Sequence, residues 1–245
     1  MNQAGAVLVL LILPILFFLT SRVRAGKAGT LRRLAGIEEL PDLVGRSAET
    51  GQPLHISVGV EGLGGGATSE TWAGLTLLAN LADEAAASDT PLVVTVSDPT
   101  VLPMAQDLLQ RAYLRHGNPD GYNPTQVQFV APEPMAYAAG VMGMLAREKL
   151  AGNIMVGSFG DEYLLMGEVG ARQDVRQIVG TADPRTLPLV YASADETLIG
   201  EEMFAGGAYT SREPIQIASL LTMDWMRWLV IVAILGWAVA KFLLG

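Results

Sequence analysis

The residues best suited to chemistry form one short run, Gly62-Leu63-Gly64-Gly65-Gly66-Ala67. It fits the pattern G-x-G-x-x-G/A, in which glycines bring the backbone close to an anion and a helix N-terminus helps to hold it. Gly62, Gly64, Gly65 and Gly66, with Ser69 just beyond them, are the candidate contacts for a phosphate. Asp98 is the acid that would meet a ribose, but it lies 31 residues beyond Ala67, where about 20 is usual. Glu61 adjoins the loop and opposes an anion. The competing reading is a tight turn that packs a helix on a sheet.

A second candidate set comes from the expected carboxyl ends of strands: Asp98, Ser158, Asp161, Thr181, Ser193 and Glu196. Parallel α/β folds bind ligands at that edge. Ser69, Asp161 and Asp195 also have the types and positions of ordinary helix caps. Gly157-Ser158-Phe159-Gly160 lacks the G-x-S-x-G spacing of a nucleophile elbow. The two histidines, His55 at the start of a strand and His116 at the end of a helix, are not placed as general bases and make no metal cluster. Glu196, Glu201 and Glu202 could face a divalent ion, and equally a solvated helix surface. No metal site is expected, no catalytic residue is assigned and no cofactor is identified. The chain has no cysteine, which excludes disulfides and thiolate chemistry.

The elements that must hold these residues alternate. Strands are expected at His55–Val60, Leu92–Val96, Val127–Val130, Asn153–Val156, Gln177–Gly180 and Leu187–Tyr191. Helices are expected over Leu31–Arg46, Ser69–Ala87, Thr100–His116, Pro134–Lys149, Asp161–Ala171 and Glu196–Ala205. Short apolar strands between longer helices predict βαβ units and a mainly parallel sheet covered on both faces. The Leu187 strand follows its predecessor without a helix and is expected to be antiparallel or at an edge. The helix from Pro134 carries Ala136, Ala139, Gly140 and Gly143 at close spacing. It reads as a crossover helix packed tightly on the sheet, or as a self-association surface.

The ends are different in kind. Residues 1–21 carry no charge, and a helix from about Ala4 to Ser21 would rise about 27 Å, near the hydrocarbon thickness of a bilayer. Five basic residues and no acidic one follow between Arg22 and Arg33, the bias of a cytoplasmic flank. A second span is expected at 225–244, with Trp225, Trp228, Arg227 and Lys241 suited to the interfaces. From Leu34 to Leu220 there are 24 acidic and 9 basic residues, which excludes nucleic acid as a partner.

The blocks Arg111-Ala112-Tyr113-Leu114, Ala136-Tyr137-Ala138-Ala139-Gly140-Val141, Gly180-Thr181-Ala182 and Thr197-Leu198-Ile199-Gly200-Glu201-Glu202, with Ala208-Tyr209-Thr210-Ser211-Arg212-Glu213-Pro214, resemble an uncharacterised bacterial membrane family, domain of unknown function 6754. The resemblance implies two membrane passes around an α/β middle domain and brings no catalytic residue. The sequence thus predicts a Rossmann-like α/β domain at 51–220. A transmembrane helix at 1–21 and a basic collar with an amphipathic helix at 22–50 precede it, and a transmembrane helix at 225–244 follows. Both termini are expected outside the inner membrane and the middle domain in the cytoplasm. Membrane lipid, further copies of the chain or other membrane subunits are the expected partners. The expected function is assembly or scaffolding, the alternative being nucleotide or phosphometabolite binding at Gly62–Ala67.

Overall fold

The computed structural model describes residues 33–211 continuously, and residues 14, 17–24, 218, 221–222, 225–231, 234–235 and 241. The chain divides into two compact units, Arg33–Thr210 and the combined terminal segments Met1–Arg32 and Ser211–Gly245.

In the larger unit, helices α1 (Ala35–Glu38) and α2 (Leu40–Thr50) precede strand β1 (Leu54–Ser57). Then follow α3 (Thr68–Ala87), β2 (Leu92–Val96), α4 (Leu102–Arg115), β3 (Val127–Phe129), α5 (Pro134–Arg147), β4 (Gly152–Val156), α6 (Tyr163–Arg172), β5 (Gln177–Thr181), α7 (Leu187–Ser193), β6 (Glu196–Ile199) and α8 (Glu201–Ser211). The local signals account for many boundaries. Pro41, Pro103, Pro134 and Pro188 sit in first turns, where a missing N–H costs nothing. Gly51 ends α2 in the left-handed conformation at φ 68°.

The six strands are all parallel, in the order β3-β2-β1-β4-β5-β6. β1, β4 and β5 are buried throughout, so their polar members His55, Ser57, Asn153 and Gln177 must find partners inside the protein. The order reverses between β1 and β4, and that switch point is where such sheets form a ligand crevice. Leu75, Leu78, Leu81, Leu109 and Tyr113 belong to the buried core, α3 packing beside α4. Tyr137, Val141, Leu145, Phe159, Tyr163, Met166 and Val190 form another cluster, contributed by α5, α6, α7 and the loop after β4.

Three expectations need correction. Leu187–Tyr191 is not a strand but part of helix α7: Pro188 sets its first turn, and the apolar residues serve a helix face. The sixth strand is Glu196–Ile199, in the stretch expected to open the last helix, and it pairs parallel with β5. Gly200, at φ 57°, breaks it from α8. The single helix expected over Leu31–Arg46 is two, parted at Glu39, and Pro41 begins the second rather than ending the first.

In the terminal unit, residues 17–24, 221–222 and 225–231 are helical. Leu19 and Val23 of the leading segment bury against Ala218 of the trailing one, with Leu221 beside them. Phe17, Phe18, Trp225, Trp228, Ile234 and Leu235 are exposed. Among the described residues no helix is long and apolar enough to cross a membrane. Most of the expected span at 1–21, and much of that at 225–244, lies outside the described residues.

Candidate functional site

The glycine run forms the loop between β1 and α3, at the carboxyl edge beside the switch point. Two of its backbone donors are used locally. Thr100 Oγ1 accepts from the Leu63 N–H at 3.1 Å and donates to Asp98 Oδ1, which also accepts from the Thr100 N–H at 2.7 Å. Thr68 Oγ1 accepts from the Gly64 N–H at 2.9 Å and donates to the Gly65 carbonyl at 2.7 Å. Thr71 Oγ1 reaches back to the Glu61 carbonyl at 3.1 Å. Three threonines therefore lace the loop to the first turns of α3 and to the β2–α4 connection.

Asp98 comes to the glycines despite its long spacing. A methyl group built on Gly62 would lie 2.3 Å from the Asp98 carboxyl carbon, so glycine at 62 is what admits that side chain. Glu61 Oε2 lies 3.4 Å from the corresponding position on Gly65. These two carboxylates oppose an anion at the loop. A helix N-terminus favours an anion by about 0.3–1 kcal/mol, whereas each carboxylate near 4 Å opposes one by about 1–4 kcal/mol in water or at a protein surface. A phosphate at this loop would therefore have to outweigh the charge of Glu61 and Asp98.

Glu70, in the first turn of α3, extends the acidic rim. Burial pushes its carboxyl above the usual range, with Asp183 and Glu61 adding to the effect and the Ala182 backbone opposing it. Its Oε2 is buried without a hydrogen-bond partner among the described residues.

The switch point itself is filled by backbone. The Val60 N–H donates to the Ser158 carbonyl at 2.9 Å, and Gly157 N–H to the Gly180 carbonyl at 3.0 Å. A Cβ on Gly59, whose φ is 95°, would lie 2.7 Å from Ser158 N and 2.8 Å from its O. One on Gly74 of α3 would lie 2.3 Å from the Val156 carbonyl oxygen. Close approach of loop to loop and of helix to strand is thus the physical use of these glycines.

Beneath this edge runs a buried polar chain that sequence reasoning missed. Gln177 Nε2 donates to the carbonyls of Gly167 (3.0 Å) and Ser193 (2.9 Å), which fixes its amide orientation. Its Oε1 must then accept from Asn153 Nδ2 at 3.0 Å, and Asn153 Oδ1 from His55 Nδ1–H at 2.6 Å. His55 Nε2 is left as acceptor for the Thr95 hydroxyl at 2.8 Å. Tyr137 Oη donates to Thr95 Oγ1 at 2.7 Å and accepts from Ser57 Oγ at 2.6 Å. Ser57 Oγ in turn accepts from the Gly59 N–H at 3.3 Å. Every proton direction is set by the two terminal carbonyls. Burial pushes the His55 pKa down to about 4 and that of Tyr137 up to about 12. Polar residues at alternate positions of apolar strands (His55 and Ser57, Asn153, Gln177) were the available signal.

The remaining candidates part company. Ser158 lies at the carboxyl edge, half-buried, with its backbone against Gly59. Ser69 is exposed in the first turn of α3, but the cap position belongs to Ala67. Ser193 does not end a strand. It closes α7, where its hydroxyl meets Tyr163 Oη at 2.7 Å and donates to the Leu189 carbonyl at 2.9 Å. Glu196 begins β6, near Arg176 at 3.6 Å, while Glu202 accepts from the Ile199 N–H at 3.1 Å, so the expected glutamate trio is split by the length of a strand. Asp195 caps no helix: it accepts from the Gln177 N–H at 2.7 Å and pairs with Arg176 at 3.0 Å. No group of three metal-ligating side chains occurs among the described residues.

An all-parallel six-stranded sheet with this order, wound in both directions from β1 and β4, defines the Rossmann-like class of α/β domains. The chain belongs to the family described as Domain of unknown function (DUF6754), whose model matches residues 1–244. Nothing among the curated proteins or the solved structures matches it.

Proposed function

We propose that the protein is a membrane-anchored assembly component: a Rossmann-like domain, tethered by two terminal helices, that organises copies of itself or neighbouring membrane subunits and performs no reaction. The observation that carries this reading is the glycine loop, whose Leu63 and Gly64 N–H groups are taken by threonine hydroxyls and whose approach is guarded by Glu61 and Asp98. The contact of Leu19 and Val23 with Ala218 supports two terminal helices that cross the bilayer as a pair. Exposed Phe17, Phe18, Trp225 and Trp228 suit lipid and its interface. The basic collar supports a cytoplasmic domain with both termini outside.

In native-like lipid the protein should run at a multiple of its 26.0 kDa mass. A monomer at every concentration would remove the reading. Protease added to intact cells should leave the middle domain whole, and digestion there would reverse the topology. The second reading, a nucleotide or phosphometabolite site, draws on the meeting of Asp98 with Gly62 at the switch point. It requires a thermal shift with a nucleotide panel that Gly64→Val abolishes without unfolding the domain.

A further inference from the structure

Helix α5 has two unlike faces. Tyr137, Ala138, Val141, Met144 and Leu145 are buried against the domain, whereas Ala136 and Ala139 are exposed and Gly143 half-exposed. The small residues expected to pack a crossover helix on the sheet therefore mostly point away from it. Gly140 is the exception in purpose, since the Val130 side chain occupies the space its Cβ would need. Val130 directly follows β3, which among the described residues pairs with β2 and ends the sheet. Phe129 (43 % exposed) and Met135 (51 %) extend the apolar surface around that edge.

Charge selects the occupant. Two domains with 24 acidic and 9 basic residues each repel wherever charged surfaces meet. From Pro124 to Ala146 the only charged residue is Glu133. Glu133 precedes Gly140 by seven positions and Arg147 follows it by seven. Two α5 helices crossing antiparallel about a two-fold axis near Gly140 would each set Glu133 against the partner copy's Arg147, with Ala136 and Ala139 on the exposed side and Val130 packed beside Gly140. No other charge on either helix opposes that pairing.

We propose that the outward face of α5 is the two-fold contact between two copies of this chain. The inference rests on the assembly reading and specifies its surface. Because the chain contains no cysteine, Ala139→Cys gives the full-length protein a single thiol near the proposed axis. Oxidation in native membranes should yield a disulfide-linked dimer, and Gln110→Cys, exposed on α4, should not. Glu133→Lys should reduce the cross-linked yield of Ala139→Cys about fivefold. Adding Arg147→Glu to the same chain should restore it, because the symmetric pair is then rebuilt with reversed sign. Glu133 also caps α5 through the Ala136 N–H, so thermal unfolding of each variant separates lost pairing from lost fold. No cross-link at Ala139→Cys in a protein that still runs as a multimer overturns the α5 contact and leaves assembly standing. A monomer overturns both, and failure of the charge swap to restore cross-linking in a folded protein overturns the antiparallel arrangement.

Discussion

The glycine turn and the His55 chain are built from much the same polar stock and solve opposite problems. At the turn, Thr68 and Thr100 tie down a loop at the surface, where water could have satisfied the Leu63 and Gly64 donors. Under α5, Ser57, Thr95, Tyr137, His55, Asn153 and Gln177 sit where water cannot reach, and each must be satisfied by the next. Loss of one link in the buried chain leaves two stranded polar groups, whereas loss of one at the surface leaves groups that rehydrate. The seam between the regions is Gly59, whose N–H meets Ser57 and whose lack of a Cβ makes room for the Ser158 backbone.

The comparison can be broken at that seam first. Gly59→Ala places a methyl under 3 Å from two Ser158 backbone atoms at a positive φ, and should cost about 4 kcal/mol, read as a fall in the urea midpoint of the full-length protein. Next, His55→Leu should cost about 3 kcal/mol, because Asn153 and Thr95 lose their partners in the interior. The third test is pH. His55 is neutral in the folded protein down to about pH 4, while the unfolded chain takes up the proton near pH 6.5. Its contribution is therefore complete above about pH 6.5 and declines as pH falls toward 4, by about 3 kcal/mol over the window. His55→Gln should flatten that part of the pH–stability curve. The smallest effect belongs to the surface loop: Thr68→Val should cost about 1 kcal/mol or less and should create no phosphate affinity, because Glu61 and Asp98 remain. A phosphate-dependent thermal shift in that variant would show that the hydroxyl had been blocking a working site.

The alternation of strands and helices was legible because β2 and the apolar parts of β1, β4 and β5 are short runs bounded by turn residues. Glu196–Ile199 was not. Four residues, only Leu198 of them buried, give too short a pattern to outweigh the acids around it. Leu187–Tyr191 misled in the converse way, since an apolar run of five cannot distinguish a strand from a short helix by periodicity. The glycine loop was recognised, but the hydroxyl partners of its Leu63 and Gly64 N–H groups were not, because one of those threonines lies 37 residues away in the chain. The approach of Asp98 to Gly62 likewise depends on the register of β1 with β2, which spacing alone does not supply.

The central position of β1 has a further consequence, in time rather than in space. Its neighbour β2 leaves the ribosome soon after it, but β4, its other neighbour, begins at Gly152, nearly a hundred residues later. At about 5–20 residues per second, synthesis of that interval lasts roughly 5–20 s. Throughout it, the flank of β1 that will receive β4 has no partner from its own chain. The nascent half-sheet is therefore the form most exposed to mispairing between neighbouring polypeptides on one message.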